Sequence, residues 1–282
     1  MKLSPDVKQL ILLALKEDIG KCDITSELIV PENYVGSASI IAKEAGVICG
    51  LQIAYQICKT IDKKLSFVAL SKDGNHVSST QKIAVINGSL KSLLTAERTI
   101  LNFLQRMSGI ASETNKYVTA LKGTKTKLLD TRKTAPGHRV LDKYAVKIGG
   151  GVNHRVGLFD MILIKENHIA AAGSITDAVK RATTNKPKRM KVEVEVSNLQ
   201  EVEEALAQKV DIIMLDNMNA GQIKKSLQVI KGKCKTEASG GITLKNIRQI
   251  AKTGVDYISV GAITHSVKAL YIAMYIQQTK KK

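Results

Sequence analysis

The sequence contains no tryptophan, and aromatic residues make up only 4% of its 282 positions. Proteins that hold single-stranded nucleic acid stack bases on aromatic side chains, and this chain offers no such platform. No familiar nucleic-acid module is visible either. Cysteine is sparse: Cys22, Cys49, Cys58 and Cys234 form no Cys-x-x-Cys pair, and the five histidines lie elsewhere. That excludes a zinc-finger spacing and leaves reduced thiols as the expectation. No apolar run approaches the roughly 20 residues that span a bilayer. The segment MKLSPDVKQLILLALKEDIG is broken by Asp6, Lys8, Glu17 and Asp18, with no small-residue cleavage site after it. It reads as an amphipathic helix capped by Ser4, with Pro5 in the first turn and Gly20 at the end, and a cytoplasmic location is expected. There is no serine elbow and no cysteine–histidine arrangement, so no covalent nucleophile is indicated.

Acidic residues are also in short supply: 25 against 43 Lys and Arg, a net charge of +18. Such a surplus suits nucleic acid, an anionic membrane surface or small polyanions. Part of it is solvated decoration, as in Lys122–Lys127, Lys186–Lys191, Lys231–Lys235 and the Lys280–Lys282 tail. The bulk composition, 44% hydrophobic and 24% charged, is that of an ordinary globular protein. The length suits one large α/β domain with a smaller companion.

Two textures divide the chain. Residues 24–90 are strand-like, with short apolar or alternating runs at Val35–Ile41, Ala45–Ile48, Leu65–Leu70 and Ile83–Ile86. The last leads into Asn87-Gly88, a turn signal. Leu51–Ile61 and Leu93–Met107 space apolar residues as helices do. From about residue 125 a repeat begins: a short apolar run ends in polar residues, then a capped helix follows. Lys127–Leu129 ends in Asp130-Thr131-Arg132-Lys133, and Met161–Ile164 ends in Lys165-Glu166-Asn167-His168. Val192–Val194 ends in Glu195, Asp211–Leu215 in Asp216-Asn217, Thr236–Ala238 in Ser239-Gly240-Gly241, and Tyr257–Val260 in Gly261-Ala262. Ser174, Asn198, Asn219 and Thr243 are candidate N-caps. Strands alternating with helices imply a parallel sheet with right-handed crossovers. An open doubly wound sheet should carry a glycine fingerprint after its first strand. Here Asp-Thr-Arg-Lys stands there instead, which favours a barrel with its site at the C-terminal rim. Six strands are clear, fewer than a full barrel needs; a seventh is sought near Val152–Phe159.

Gathered on one rim, the strand ends bring together Arg132, Lys133, Lys165, Glu195, Asp216 and Ser239-Gly240-Gly241, joined by His154 and Arg155. Arginine grips carboxylate or phosphate through a planar fork. Glycines let backbone N–H groups approach a phosphate. Carboxylates among cations suit magnesium or sugar hydroxyls. Each segment alone has an ordinary reading. Lys165–His168 could be a solvated loop, Glu193 and Glu195 alternate so that either could face solvent or a helix, and Ser-Gly-Gly serves many turns. Their joint placement at successive strand ends points to a sugar phosphate beside a carboxylated partner.

At these residues the sequence resembles the quinolinate phosphoribosyltransferase family. The resemblance rests on Asp130–Arg139, Asn153-His154-Arg155, Leu163–Ile169, Val192–Val196, Met214–Asn217, Ala238–Ile242 and Ser259–Ser266, with Glu97–Asn102 in the first region. It covers essentially the whole chain in motif order.

The resemblance implies an α/β protein: an N-terminal α/β sandwich over residues 1–113, an incomplete TIM-like α/β barrel over 114–265, and a C-terminal helix, Val267–Gln277, returning to the first domain within 266–282. It implies a homodimer or higher oligomer of dimers, with Arg98 donated across the interface to a neighbour's barrel. It implies phosphoribosyl transfer from phosphoribosyl pyrophosphate to quinolinate with Mg2+ and decarboxylation. Arg132, Lys133, Lys165, Glu195 and Asp216 become the catalytic candidates, and Glu195 and Asp216 the metal candidates. Arg98, Thr131, Arg132, Lys133, His154, Arg155, Lys165, Glu195, Asp216, Ser239, Gly240, Gly241, Ser259, Gly261 and Ala262 become the substrate contacts. The rival readings are a sibling phosphoribosyltransferase for nicotinate or a related heterocyclic acid, a lyase with Lys165 as Schiff base, and a basic RNA-binding protein.

Overall fold

Helix starts are set by side chains that accept from otherwise unpaired N–H groups, and the chain opens on one. In the computed structural model, which describes residues 3–281, Ser4 caps α1 (Pro5–Ile19) and Asp23 caps α2 (Ile24–Ile29). There follow β1 (Tyr34–Ala42), β2 (Gly46–Val47), α3 (Leu51–Ile61), β3 (Ser66–Ala69), β4 (His76–Val77), β5 (Lys82–Ser89) and α4 (Leu90–Ala120). The repeating part contains β6 (Lys127–Leu129), α5 (Arg139–Ile148), β7 (Ile162–Ile164), α6 (Glu166–Ala172), α7 (Ile175–Thr184) and β8 (Val192–Val196). It continues with α8 (Leu199–Ala207), β9 (Ile212–Asp216), α9 (Ala220–Ile230), β10 (Lys235–Ser239), α10 (Ile247–Ala251), β11 (Tyr257–Ser259) and α11 (Ala262–His265), and the chain ends on β12 (Ile272–Lys281).

The elements form two units. Among the described residues, the first holds 3–115, 135–150 and 266–281; the second holds 116–134 and 151–265. In the first, a four-stranded sheet runs β12-β1-β5-β3, with antiparallel pairing throughout. Helix α3 buries Leu51, Ile53, Ala54, Ile57 and Cys58, one stripe at helical spacing. Each such aliphatic side chain contributes about 1.5–3 kcal/mol by leaving water.

Four sequence expectations are corrected here. Val267–Gln277 is not a helix: residues 272–281 form β12, paired antiparallel to β1. Ile272 and Met274 are buried while Tyr275 is exposed, a period of two that a strand satisfies and a helix does not. The returning chain crosses α4 at Gly109, where a Cβ would meet Lys268 O at 2.4 Å. Asn87-Gly88 is not a turn; both residues sit in β5, opposite Ser37 and Gly36. Helix α5 belongs with the first unit rather than the barrel. Its buried Asp142 accepts from Arg106 Nε and Nη2 at 3.0 and 2.7 Å, and Tyr144 donates to Asp73 at 2.8 Å. Finally, Thr243 does not cap a helix. Asn246 Oδ1 accepts from Thr243 N at 2.8 Å in a turn, and the short α10 starts at Ile247.

In the second unit a six-stranded parallel sheet runs β6-β11-β10-β9-β8-β7. Sequential strands lie side by side, and the first pairs with the last, as a sheet curling into a barrel requires. The curl does not close. Where a seventh strand was sought, only Val152 bridges Leu129, and residues 153–161 form no ladder. Ser174, Asn198 and Asn219 cap α7, α8 and α9, accepting N–H groups of Asp177, Glu201 and Gln222. No described helix is long and apolar enough to cross a membrane.

Candidate active site

Parallel strands in register present every second side chain to the same face. Glu193 lies opposite Ile212, Glu195 opposite Met214, Glu237 also opposite Met214, and Ser239 opposite Asp216. Glu193, Glu195, Asp216, Glu237 and Ser239 therefore share the face that points into the barrel, with Glu193 one step below the level of Glu195 and Glu237, and Asp216 and Ser239 one step above it. Above them opens a pocket of about 640 Å³, within the range of small-molecule sites.

The second unit alone lines this pocket. It includes Thr131, Arg132, Lys133, His154, Arg155, Lys165, Glu195 and Asp216, together with Ser239, Gly240, Gly241, Ser259, Gly261 and Ala262. Arg98 is not among the lining residues; it is an exposed side chain on α4 of the first unit.

Local chemistry places each group. After β6, Thr131 Oγ1 accepts from Lys133 N at 3.0 Å, and Thr264 Oγ1 donates to Lys133 O at 2.8 Å, which holds the Arg132-Lys133 turn at the rim. Lys165 follows β7 and precedes α6, where its N–H donates to His168 Nδ1 at 3.0 Å. His168 is thus a capping residue. Lys165 Nζ forms an ion pair with Glu195 Oε2, the lysine 44% exposed and the glutamate 17%. Glu195 is thus already paired with a cation of the neighbouring strand end. Asp216 Oδ2 accepts from Asn217 Nδ2 at 2.7 Å. Gly240 has φ +86, and a Cβ there would lie 2.1 Å from Asn217 Oδ1, so only glycine makes this turn without strain. Its backbone can approach a ligand closely.

Glu195 and Asp216 end adjacent strands and offer hard oxygen donors at the pocket wall. Two carboxylates with room for waters and phosphate oxygens form the donor set that magnesium takes, so these residues fit the ion.

The floor holds what the sequence reading missed. Glu193 and Glu237 are completely buried, and His154 Nε2 lies 3.0 Å from Glu193 Oε2 and 3.5 Å from Glu237 Oε2. Burial makes a charged His154 costlier, but the two glutamates outweigh it and raise its pKa to about 9. Burial pushes the Glu193 carboxyl up to about 7, against the pull of His154. Asp130, also completely buried, accepts from His154 N at 2.8 Å. Arg155 is buried beside it, its cation disfavoured by burial and by the like charge of Arg132. The signal for Glu237 was present: a charged residue in mid-strand, two positions before Ser239 and so on the same face.

Comparison with known proteins agrees with this geometry. Residues 110–275 match the description "Quinolinate phosphoribosyl transferase, C-terminal domain", and residues 23–108 match the N-terminal domain of the same family. A Synechocystis protein named probable nicotinate-nucleotide pyrophosphorylase [carboxylating] is 46% identical over 89% of this chain and 86% of its own. The nicotinate-nucleotide pyrophosphorylase structure from Francisella tularensis superposes with a TM-score of 0.93 at 45% identity, covering 98% of each chain. NadC from Streptococcus pyogenes gives 0.95 at 41% identity, over 99% of this chain and 100% of its own. Matched by the family's two domain descriptions over residues 23–108 and 110–275, the chain belongs to the quinolinate phosphoribosyltransferase family.

Proposed function

We propose that this chain transfers the phosphoribosyl group of phosphoribosyl pyrophosphate to quinolinate, giving nicotinate mononucleotide, pyrophosphate and carbon dioxide, a step of de novo NAD biosynthesis. One observation carries the reading: Arg132, Lys133, Arg155 and Lys165 converge with Glu195 and Asp216 on one pocket. The substrates are a dicarboxylate and a polyphosphorylated sugar, and both need cations held close together.

In this mechanism the pyridine nitrogen attacks the anomeric carbon as pyrophosphate departs. Arg132 and Arg155 grip the quinolinate carboxylates, with Lys133 and Lys165 adding charge. Thr131 and the backbone at Ser239, Gly240, Gly241, Ser259, Gly261 and Ala262 cradle the ribose phosphate. Glu195 and Asp216 face the ribose, where positive charge develops, and stabilise it. The same two carboxylates would hold Mg2+, which supplies neutralisation of the leaving diphosphate. Once alkylated, the ring nitrogen accepts the electrons released as carbon dioxide leaves. Lys165 held by Glu195 is ready to exchange that partner for substrate, whereas a Schiff-base lysine needs a free amine; the geometry favours phosphoribosyl transfer.

We place the reaction in the cytoplasm and in a homodimer, with Arg98 of one subunit completing the other's pocket. Mixing an Arg98→Ala variant with an inactive Glu195→Gln variant should restore part of the activity after subunit exchange; no recovery despite proven exchange removes the shared site. The test of the activity itself is ultraviolet observation of quinolinate consumption with phosphoribosyl pyrophosphate and magnesium, with nicotinate as competitor. Turnover of nicotinate in preference would move the assignment to the sibling reaction. Polynucleotide binding with steep salt dependence and no saturable binding of phosphoribosyl pyrophosphate would support the RNA-binding reading.

A further inference from the structure

The segment carrying Arg155 occupies the place of a barrel strand without being one. Beyond the single bridge at Val152, residues 153–161 receive no ladder hydrogen bonds. Something else must fix Arg155, and the side chains show what does. Its backbone N–H donates to His154 Nδ1 at 2.8 Å, and its guanidinium donates to Met161 O at 3.3 Å. The His154 ring in turn directs Nε2 at Glu193 and Glu237, in mid-strand on β8 and β10.

The trio has the residue types of a metal site, with one ligand atom of each within 4.8 Å of the others. The proton positions argue against one. A histidine that binds metal through one ring nitrogen carries its proton on the other. Here Nε2 faces the two carboxylates at 3.0 and 3.5 Å. A proton on that nitrogen, in the neutral ring or in the charged one, leaves it no lone pair to give a metal. All four carboxylate oxygens of Glu193 and Glu237 are buried and none receives a hydrogen bond of good geometry; His154 Nε2, at ion-pair distance from both, is the cation that this costly arrangement calls for.

We propose that Glu193 and Glu237 are positioning residues: by holding His154 through Nε2–H they lock the His154–Arg155 backbone, and so place the Arg155 guanidinium to grip a substrate carboxylate. In this role His154 supports the grip of Arg155 instead of binding substrate itself. The assignment rests on the reading of the pocket as a site for a pyridine dicarboxylate and phosphoribosyl pyrophosphate.

The test compares Glu193→Ala and Glu237→Ala with Glu193→Gln and Glu237→Gln in the full-length protein. The alanine variants should raise KM for quinolinate at least about tenfold while KM for phosphoribosyl pyrophosphate stays within about twofold. The glutamine variants, whose amide oxygen still accepts from Nε2–H, should recover most of the loss. An equal rise in both constants, or none, overturns the proposal. Should the alanine variants fail to fold, nitrogen NMR of His154 in the wild-type protein decides. A protonated Nε2 supports the lock; a bare Nε2, or a stoichiometric metal ion found by elemental analysis, ends it. Absence of quinolinate turnover in the wild type would instead strike the activity, and the NMR result would still stand or fall alone.

Discussion

The two ends of the barrel use acids in opposite ways. At the end where strands begin, Asp211 Oδ2 accepts from Val192 N at 2.8 Å. Asp256 there accepts from Thr236 N and Oγ1, each at 3.0 Å, and from Lys235 Nζ at 2.6 Å. These carboxylates tie one strand to the next. At the end where strands finish, Glu195 and Asp216 face the pocket, and the partner of Glu195 is a half-exposed lysine that a ligand can displace. The same functional group serves as a fastener where its partner is backbone and as a tool where its partner is a mobile cation. Stability and function are thus separated along each strand, as barrels allow.

Substitution at the two ends should separate the same properties. The largest effect belongs to the working end. Arg132→Ala and Glu195→Gln should each lower kcat/KM on the order of 10²–10³-fold, about 2.7–4 kcal/mol of transition-state stabilisation, with the thermal midpoint almost unchanged. Wild-type kinetics would remove the residue from the site, and a large fall in midpoint would make it a fastener. Next comes Asp256→Ala, which leaves the buried Thr236 N–H and hydroxyl short of a partner. A loss of about 1–3 kcal/mol in denaturant unfolding is expected, with kcat/KM per folded molecule preserved. Gly240→Ala should cost about 1–2 kcal/mol through its left-handed backbone. It should also raise KM for phosphoribosyl pyrophosphate, because the Asn217 turn must move. A change in KM for quinolinate alone would take that turn out of the phosphate cradle.

The contrast between ends also explains what could be read before the fold was known. Rim residues were legible because strand ends carry polar residues after apolar runs, and Lys165, Glu195, Asp216 and Ser239 all follow that rule. The floor was not. Glu193 alternates with Glu195 on a short strand, and sequence periodicity fixes parity without saying which face is the core. Glu237 shares the face of the legible Ser239, but it sits in mid-strand, where the strand-end rule does not look. The C-terminal segment failed for a related reason: over ten residues Ile272, Met274 and Ile276 fit a strand, while Ile272 and Ile276 also fit a helix. Pairing with β1 decides between them, and that contact spans more than 200 residues of sequence. Helix α5 looked like a barrel helix by order alone. Its partners Arg106 and Asp73 lie in the first unit and leave no mark near Asp142 or Tyr144 in the sequence.

The smallest expected effect concerns acid. Burial pushes the Asp256 carboxyl up, but hydrogen bonds from Lys235 and Thr236 outweigh it and hold the group below its ordinary 3.8. A carboxyl that titrates lower in the folded chain than in the unfolded one stabilises the fold above the unfolded value, and that stabilisation is lost as pH falls through the folded value. The difference in thermal midpoint between wild type and Asp256→Asn should therefore be constant from pH 7 to about pH 5 and shrink below about pH 4. Because the side chain is 31% exposed, salt and water screen the lysine contact, and the change should be on the order of 1–2 °C. A difference that stayed constant below pH 4 would take Asp256 out of the fastener role and with it the contrast between the two ends of the barrel.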